Sequence, residues 1–254
     1  MSLANNLLSV DGRHDELPIF LDGTGLGRNP VTEKTPYQPK FDSIASTGPS
    51  SATEIRTPEI GDWRHGVPTL SGALATLREL RATDAPSLLA SMSTEEVKRS
   101  ISPPPSTVEG FEKFVAWTHR ERAAGRCVCF AVVPHGSDTA VGLFQLRSLE
   151  PDFGTSEWGF ALAREYWGTG LFGEGAELVV DFAFEVIGAH RLEARAAFKN
   201  NRGNGALKKL GAVQECVLPR SFLRDGEYLD QVLWTILAEE WLGAKAVWGP
   251  TIVH

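Results

Sequence analysis

The sequence contains little cysteine and histidine, with 3 Cys and 6 His among 254 residues. Cys127 and Cys129 stand in a strand-like segment and the histidines show no paired spacing, so neither a disulfide framework nor a metal site is expected. No apolar run approaches the roughly 18 residues of a membrane span, and the N-terminus lacks the basic and apolar regions of a signal peptide. We therefore expect a cytoplasmic protein that binds no metal and no membrane.

Basic residues are also few, since 25 Lys and Arg stand against 32 Asp and Glu and give a formal net charge of -7. Nucleic acid is not expected as a partner, because phosphate backbones favour basic surfaces. The 42% hydrophobic and 22% charged residues are ordinary for a globular protein. A chain of this length holds one large domain or two small ones.

A glycine-rich segment at residues 164–176, REYWGTGLFGEGA, directly precedes the helix-like run ELVVDFAFEVI at 177–187. Gly168, Gly170 and Gly173 lack a Cβ atom, so the backbone can turn tightly and present N–H groups to a phosphate. The positive end of the following helix dipole adds to this attraction. The segment has neither the Lys-Ser/Thr pair of a P-loop nor the later acidic residue of a dinucleotide-binding GxGxxG. It predicts an anion cradle that can hold a pyrophosphate.

Four ordered motifs include and surround this loop: EWGFAL at 157–162, YWGTGLFGEG at 166–175, HRLEARAAFKN at 190–200 and LKKLGA at 207–212. Together they resemble the GNAT superfamily of acetyl-CoA-dependent N-acetyltransferases. The nearer likeness is to the ribosomal-protein N-terminal acetyltransferases, whose chains carry EIGYWL-, YWGKGYATEA-, HRVEARVDPRN- and LEKLGF-like segments in that order. A family-like opening at 77–85 and a closing segment at 225–236 extend the likeness over about two-thirds of the chain.

The resemblance implies a mixed α/β fold, with a mainly antiparallel, splayed sheet of about six or seven strands flanked by helices. Strand-like and helix-like segments alternate after residue 70 in agreement with this class. We predict an irregular N-terminal extension at 1–70, an N-acetyltransferase domain at 71–242 and a C-terminal tail at 243–254. The extension has no hydrophobic period, so we expect it to depend on contacts made by apolar islands at 17–21 and 60–63.

The resemblance assigns acetyl-CoA as co-substrate, without a metal. By position, the backbone N–H groups that would bind the pyrophosphate belong to Gly168, Thr169, Gly170, Leu171, Phe172 and Gly173. Gly159 is the place where the preceding strand could open for the pantetheine arm. Asn200 matches the asparagine with which the family fixes that arm, and a simple turn or helix cap is its alternative role.

Acetyl transfer requires a neutral amine, and an α-amine titrates near roughly pH 8. A carboxylate acting through water could remove the proton. Glu157 and Glu193 are the candidates, and we favour Glu157 because Gly159 and Ala161, on the same strand face, leave room for a ligand. Glu193 stands on its strand face with two arginines, so a salt-bridged structural role is its alternative.

The family's usual NxxS pattern supplies a serine as proton donor to the departing thiolate, but residues 200–203 here read NNRG. Ser221 and Tyr228 are the replacement candidates, and a surface or core-filling role is the alternative for both. A thiol with a pKa near about 8.5 is a tolerable leaving group without full protonation. The departure therefore does not exclude activity.

We expect an enzyme that moves an acetyl group from acetyl-CoA to a primary amine by direct attack, the acceptor being a protein N-terminal α-amine or a small-molecule amine. An acceptor pocket ringed by acids would instead indicate an aminoglycoside or polyamine acetyltransferase. Gly203 keeps open a non-catalytic acyl-CoA-binding or interaction protein, and a nucleotide-binding module is a further alternative. A homodimer remains open.

Overall fold

The computed structural model describes residues 62–224 and 226–248. Both apolar islands predicted for the extension lie outside the described residues, except for the last two positions of the second. The strands are β1 (Leu70–Ser71), β2 (Ala75–Glu79), β3 (Cys127–Pro134), β4 (Gly142–Ser148), β5 (Thr155–Leu162), β6 (Arg191–Ala197), β7 (Val213–Arg224) and β8 (Glu227–Leu237). The helices are α1 (Ala85–Met92), α2 (Glu95–Lys98), α3 (Val108–Ala123), α4 (Leu171–Asp181), α5 (Asn201–Lys209) and α6 (Ala238–Trp248).

All eight strands of the described residues form one sheet in the order β1-β2-β3-β4-β5-β6-β8-β7. Neighbouring strands are antiparallel except β5 and β6, which pair in parallel over three positions ending at Glu157 opposite Glu193. Beyond that pair, β5 continues to Leu162 and β6 to Ala197 without a shared ladder. The sheet is therefore splayed at its centre, and the predicted mixed, mainly antiparallel fold is confirmed.

Side chains alternate across the sheet and build a core on each side. On one side, which we call the α3 face, Cys129, Ala131 and Leu143 pack in one cluster with Phe111 and Phe114 of α3. On the other side, the α4 face, strand residues including Phe130, Phe144 and Trp158 pack in one cluster with residues of α4. The two faces of the sheet are thus covered by different helices.

The predicted helices and strands lie close to those observed, with local differences. The helix predicted over 171–187 begins at Leu171 and ends in a π-helical turn, Phe182–Ile187. Helix α5, predicted at about 204–210, begins three residues earlier at Asn201, where the side chain of Asn200 caps it. The short elements β1 and α2 were not predicted, and α6 crosses the predicted domain boundary at residue 242.

Trp63 belongs to the core although it lies within the predicted extension. Its side chain is buried and meets Phe153 edge to face, with ring centroids 5.4 Å apart. An aromatic pair of this geometry contributes about 0.5–1.5 kcal/mol beyond its area burial. The described domain thus uses at least one residue before position 70, while the domain limits themselves stay predictions. None of the described helices is long and apolar enough to cross a bilayer.

Candidate active site

A cavity of about 620 Å³ occupies the gap between β5 and β6. Its wall includes residues 158–162 of β5, residues 194–197 of β6, the loop before α4 and the start of α5. Val97 and Ile101 in this wall belong to the core of the α3 face, whereas Trp158 and Leu207 belong to the core of the α4 face. The cavity therefore extends across the sheet, with wall residues from both of its faces.

The glycine loop stands at the α4-face end of this cavity. Gly168 and Gly170 have φ angles of 80° and 91°, a left-handed conformation that favours glycine, and Gly170 is the N-cap of α4. A Cβ on Gly168 or on Gly173 would meet nothing within 4 Å, so both positions face open space. At the start of α4, the Leu171 N–H donates to Thr169 Oγ1 at 3.4 Å, whereas those of Phe172 and Gly173 have no acceptor inside the helix and are available to an anion.

The six predicted cradle residues divide into two groups. Gly168, Gly170, Phe172 and Gly173 line the cavity. The side chain of Leu171 is buried in the core instead, and the Thr169 hydroxyl donates a hydrogen bond to the Tyr166 carbonyl, 2.8 Å away. Because the side chains of Leu171 and Thr169 make these contacts within the protein, any contact of the two residues with a ligand must come from their backbone.

Glu174, in the first turn of α4, is not part of the cavity wall and has a structural role. Its carboxylate accepts hydrogen bonds from the backbone N–H groups of Ala73, Leu74 and Ala75 in the β1–β2 turn. A Cβ added at Gly170 would lie 3.2 Å from Leu74 Cδ1, so this turn also packs against the glycine loop. Glu174 thus fixes the hairpin turn to the start of α4.

Asn200 lines the cavity and caps α5, where its Oδ1 accepts a hydrogen bond from the Gly203 N–H at 2.9 Å. The contact between Asn200 and position 203 gives a local reason for glycine there in place of the family's serine. A Cβ at that position would approach Asn200 Nδ2 to 2.6 Å, so Asn200 would have to move. The cap is therefore present, and the predicted contact of Asn200 with the pantetheine arm stays a prediction.

Trp167 and Arg202 connect the glycine loop to α5. The Arg202 guanidinium lies 4.4 Å from the centre of the Trp167 ring, and both residues line the cavity. The Trp167 Nε1–H donates to the Leu162 carbonyl at 2.9 Å, which holds the ring in place. Such a cation–π contact is worth about 0.5–2 kcal/mol. It joins the two walls that flank the gap.

A row of alternating charges, which we call the charge row, crosses the α3 face beside the gap. Arg195 donates to Glu157 at 2.8 Å and to Glu193 at 3.1 Å, and Arg191 donates to Glu193 at 3.0 Å and to Glu215 at 2.7 Å. Glu215 reaches this face because a register shift sets it in a bulge between the β7 residues that pair with β8. The row neutralises Glu157 and Glu193, whose side chains would otherwise be buried charges without a partner.

Two carboxylates of the charge row, Glu157 and Glu215, have opposite pKa shifts. Burial raises the pKa of Glu157, which is only 6% exposed, while the charges of Arg195 and Arg147 oppose that rise. Hydrogen bonding to Arg191 lowers the pKa of Glu215. A buried carboxyl with a raised pKa is a stronger base than an ordinary one, which fits the role predicted for Glu157.

Neither predicted base lies in the cavity wall, whereas Arg195, which contacts both, does. The predicted proton donors are farther away. The Ser221 hydroxyl donates to the Leu218 carbonyl at 3.0 Å and to Gln231 Oε1 at 3.1 Å, and only Gln231 of these three lines the cavity. Tyr228 is 61% exposed and pairs with Leu223 near the end of the β7–β8 hairpin. The four catalytic assignments stay predictions.

Sequence reasoning missed Trp167, Gln231 and the segment 100–102. Ser102 lines the cavity, is 3% exposed, and its hydroxyl has no hydrogen-bond partner among the described residues. The Arg195 Nε–H is also buried and without such a partner. The only sequence signal near Ser102 was the run of three prolines that follows it, which indicates a loop but not its neighbours.

The cysteines do not supply a nucleophile to the cavity, since none of the three is in its wall. Burial raises the pKa of Cys127 to about 12 and raises that of Cys129 as well, so both remain thiols at neutral pH. Cys216 is exposed on β7. Within residues 62–224 and 226–248, no group of three or more His, Cys, Asp or Glu side chains is placed to hold a metal ion.

Residues 75–213 match the family profile described as "Acetyltransferase (GNAT) domain". An uncharacterised N-acetyltransferase, p20 of Bacillus licheniformis, is 24% identical over 176 residues, which cover 69% of this chain and 99% of that protein. Spermidine N(1)-acetyltransferase of Escherichia coli strain K12 is 25% identical over 112 residues, 44% of this chain and 60% of that protein.

Among solved structures, the fold is similar to that of ribosomal-protein-S5-alanine acetyltransferase from Vibrio fischeri. The TM-score is 0.62, with 18% identity over 68% of this chain and 98% of the other. At this identity the likeness shows the fold alone. The matched range of the family profile includes both gap-forming strands, the glycine loop and α5.

Proposed function

Because the chain belongs to the GNAT acetyltransferase family, we propose that it transfers an acetyl group from acetyl-CoA to a primary amine by direct attack. The observation that carries the proposal is the cavity through the splayed sheet, with a glycine cradle at its α4-face end. One channel can then receive a phosphate-bearing donor from one face and an amine from the other.

The residues present fit acetyl-CoA at the cradle. Gly168 and Gly173 leave open space for a pyrophosphate, and the N–H groups of Phe172 and Gly173 at the start of α4 have no acceptor inside the helix. Past Glu157, the side of β5 that faces β6 has no partner strand, so its backbone groups can pair with the amides of the pantetheine arm. Arg202 and Lys209 in the cavity wall are suited to bind phosphate groups.

The chemistry begins when the amine nitrogen attacks the thioester carbonyl carbon. The new C–N bond forms, the C–S bond breaks, the amine loses one proton and CoA leaves as the thiolate. We assign the base to Glu157, whose raised pKa suits proton abstraction, with Glu193 as the alternative. Since Arg195 separates both carboxylates from the cavity, this assignment requires a bridging water. Direct attack agrees with the raised pKa values of Cys127 and Cys129.

Two acceptor classes are candidates, and a protein that binds acyl-CoA without catalysis is the alternative to an enzyme. The relative named for spermidine favours a polyamine acceptor, and the resemblance of the four motifs to ribosomal-protein N-terminal acetyltransferases favours a protein α-amine. Gly203, in place of the family's serine, supports a non-catalytic acyl-CoA-binding protein.

The test incubates the full chain with acetyl-CoA and a panel of ribosomal-protein N-terminal peptides, spermidine and aminoglycosides, and measures CoA release together with the mass of the acceptor. We expect release of CoA and gain of one acetyl group by one acceptor class. Binding of acetyl-CoA without acetylation of any amine would favour the non-catalytic protein. Absence of acetyl-CoA binding would contradict both.

A further inference from the structure

Two residues of the cavity wall, Ser102 and Arg195, each carry a buried hydrogen-bonding group without a partner among the described residues. The Ser102 hydroxyl and the Arg195 Nε–H both lie out of solvent, and neither makes a hydrogen bond within the described part of the chain. Buried polar groups are nearly always paired, because an unpaired one loses its hydrogen bonds to water without compensation. Two such donors on residues of one cavity wall indicate that a bound ligand supplies their hydrogen-bond acceptor.

Both groups are held in place by their neighbours. The carbonyl of Ile101, next to Ser102, accepts a hydrogen bond from Arg224 Nη1 at 2.7 Å, and the Ile101 side chain is buried in the core of the α3 face. The terminal nitrogens of Arg195 are occupied by Glu157 and Glu193. Each terminal nitrogen thus already donates to a carboxylate, whereas Nε–H donates to no described residue and is free to donate to a ligand.

The charge of the cavity wall separates classes of acceptor. Its described charged residues are three cations, Arg195, Arg202 and Lys209, and one carboxylate, Glu177. Glu177 belongs to α4, on the opposite face from Ser102. Glu157 is near Ser102's face of the sheet but is neutralised by Arg195. A polycation at the α3-face end would therefore meet a guanidinium and no carboxylate in the wall.

We infer, on the basis of the proposed function, that Ser102 and Arg195 form an oxygen-binding pair at the acceptor end of the cavity. The hydroxyl and the Nε–H donate to a carbonyl or carboxylate oxygen that lies next to the acceptor amine. The acceptor is then an α-amine beside an acyl group, and the pair selects it over amines without that oxygen. A peptide N-terminus and a free amino acid share this chemistry.

The test compares acceptors that differ in the oxygen. An N-terminal peptide, the matching free amino acid, the corresponding alkylamine without the carbonyl, and spermidine are each assayed for KM and kcat with saturating acetyl-CoA. We expect a higher kcat/KM for the peptide or the amino acid than for both amines that lack the acyl oxygen. If the peptide is the better of the two, the pair binds a neutral carbonyl; if the free amino acid is better, it binds a carboxylate. Spermidine as the best acceptor would overturn the inference.

Variants then locate the effect. Ser102→Ala should raise the KM of the oxygen-bearing acceptor roughly 10-fold, as expected for loss of a hydrogen bond in a buried site, while the Kd of acetyl-CoA stays unchanged. Ser102→Thr keeps the hydroxyl and should retain the preference. Ser100→Ala is the matched control, because Ser100 lines the same cavity but is exposed. Weaker acetyl-CoA binding by Ser102→Ala, with an unchanged acceptor KM, would place the hydroxyl at the thioester and overturn the inference.

A binding experiment separates this inference from the proposed function. The same acceptors are titrated calorimetrically into the protein saturated with CoA, with Arg195→Lys as a second variant that keeps the charge and removes the Nε–H. Binding that depends on the oxygen, on Ser102 and on Arg195 supports the pair even if no acceptor is acetylated. Oxygen-independent binding, or no binding of any acceptor, contradicts it, whatever the outcome of the transfer assay.

Discussion

The two ends of the cavity are built from different materials. At the α4-face end, a ligand meets backbone N–H groups and the space left by Gly168 and Gly173. At the α3-face end, it meets the side chains of Ser102, Arg195 and Gln231, which come from three distant parts of the chain. The backbone end is fixed by chain conformation and suits a donor that never changes. The side-chain end can be altered one residue at a time, so we expect acceptor specificity to reside there.

We expect the largest effect when a side chain is added to the glycine loop, at the α4-face end of the cavity. Gly170→Val places a β-branched residue at φ 91°, and its Cβ would lie 3.2 Å from Leu74 Cδ1. The left-handed conformation alone costs on the order of 1–3 kcal/mol. We predict that the variant loses most of the stabilisation that acetyl-CoA gives the parent, about 2.7 kcal/mol at ligand 100-fold above Kd. Melting temperatures with and without acetyl-CoA measure this directly.

The control for this variant is Gly173→Ala. Gly173 lies within α4, and its added Cβ would meet no atom within 4 Å, so the substitution should not strain the ligand-free protein. Alanine also favours a helix over glycine by roughly 1 kcal/mol. If acetyl-CoA raises the melting temperature of this variant less than that of the parent, the added methyl group hinders the approach of the ligand and does not act by straining the protein. If Gly170→Val responds to acetyl-CoA as the parent does, the cradle lies elsewhere.

The same contrast explains how much the sequence could predict. The glycine loop, its helix and the splayed sheet depend on local conformation and ordered motifs, and the positive φ at Gly168 and Gly170 agrees with their predicted use. Ser102 was missed because its burial depends on contacts with segments more than a hundred residues away, such as that between Ile101 and Arg224. Nothing in the local pattern indicates which loop covers the gap.

The charge row shows the same limit in another form. Alternation along β6 places Arg191, Glu193 and Arg195 on one face, and the sequence therefore predicts ion pairs there. It does not predict that Arg195 stands between Glu157 and the cavity, since that depends on the short parallel register of β5 and β6. Glu215 joins the row through a bulge, which no motif announced.

A smaller effect is expected when a predicted base at the side-chain end is changed. Glu157→Gln should lower kcat by about 100-fold, the lower range for general base catalysis, and Glu193→Gln should lower it less. Glu157 is the more buried side chain and has the raised pKa. The pH dependence of kcat for both variants is the measurement. The loss should shrink as the pH approaches the pKa of the acceptor amine, which then needs no base.

Two results would contradict this assignment. A loss for Glu157→Gln that is the same at every pH would mean that the carboxylate holds Arg195 in position rather than accepting a proton. A larger loss for Glu193→Gln would transfer the role to the residue that contacts both arginines. In the first case the side-chain end would act chiefly in binding, and the contrast between the two ends would be sharper; in the second it would keep its catalytic role with a different carboxylate.

The smallest expected effect concerns the carboxylate of the charge row farthest from the cavity. Hydrogen bonding to Arg191 lowers the pKa of Glu215 below the ordinary 4.5. Its contribution to stability is therefore present above that value and is lost as the pH falls through the lowered pKa. Burial raises the pKa of Glu157 from the same value, so its contribution has the opposite sign: it is present below 4.5 and is lost as the pH rises through the raised pKa.

Glu215→Gln should therefore lower the urea midpoint slightly at neutral pH and make no difference in strong acid, with unchanged kcat and acceptor KM. The neutral-pH loss should shrink in high salt, because the Glu215 side chain is 37% exposed and its charge is screened. Glu157→Gln is the matched comparison, since it removes a carboxylate whose charging opposes folding, so its midpoint should improve relative to the parent as pH rises. Urea titrations of the three proteins between about pH 3 and about pH 7 give both slopes. If the two variants changed the pH dependence in the same direction, the charge row would titrate as one unit, and Glu157 could not be treated as an independent base.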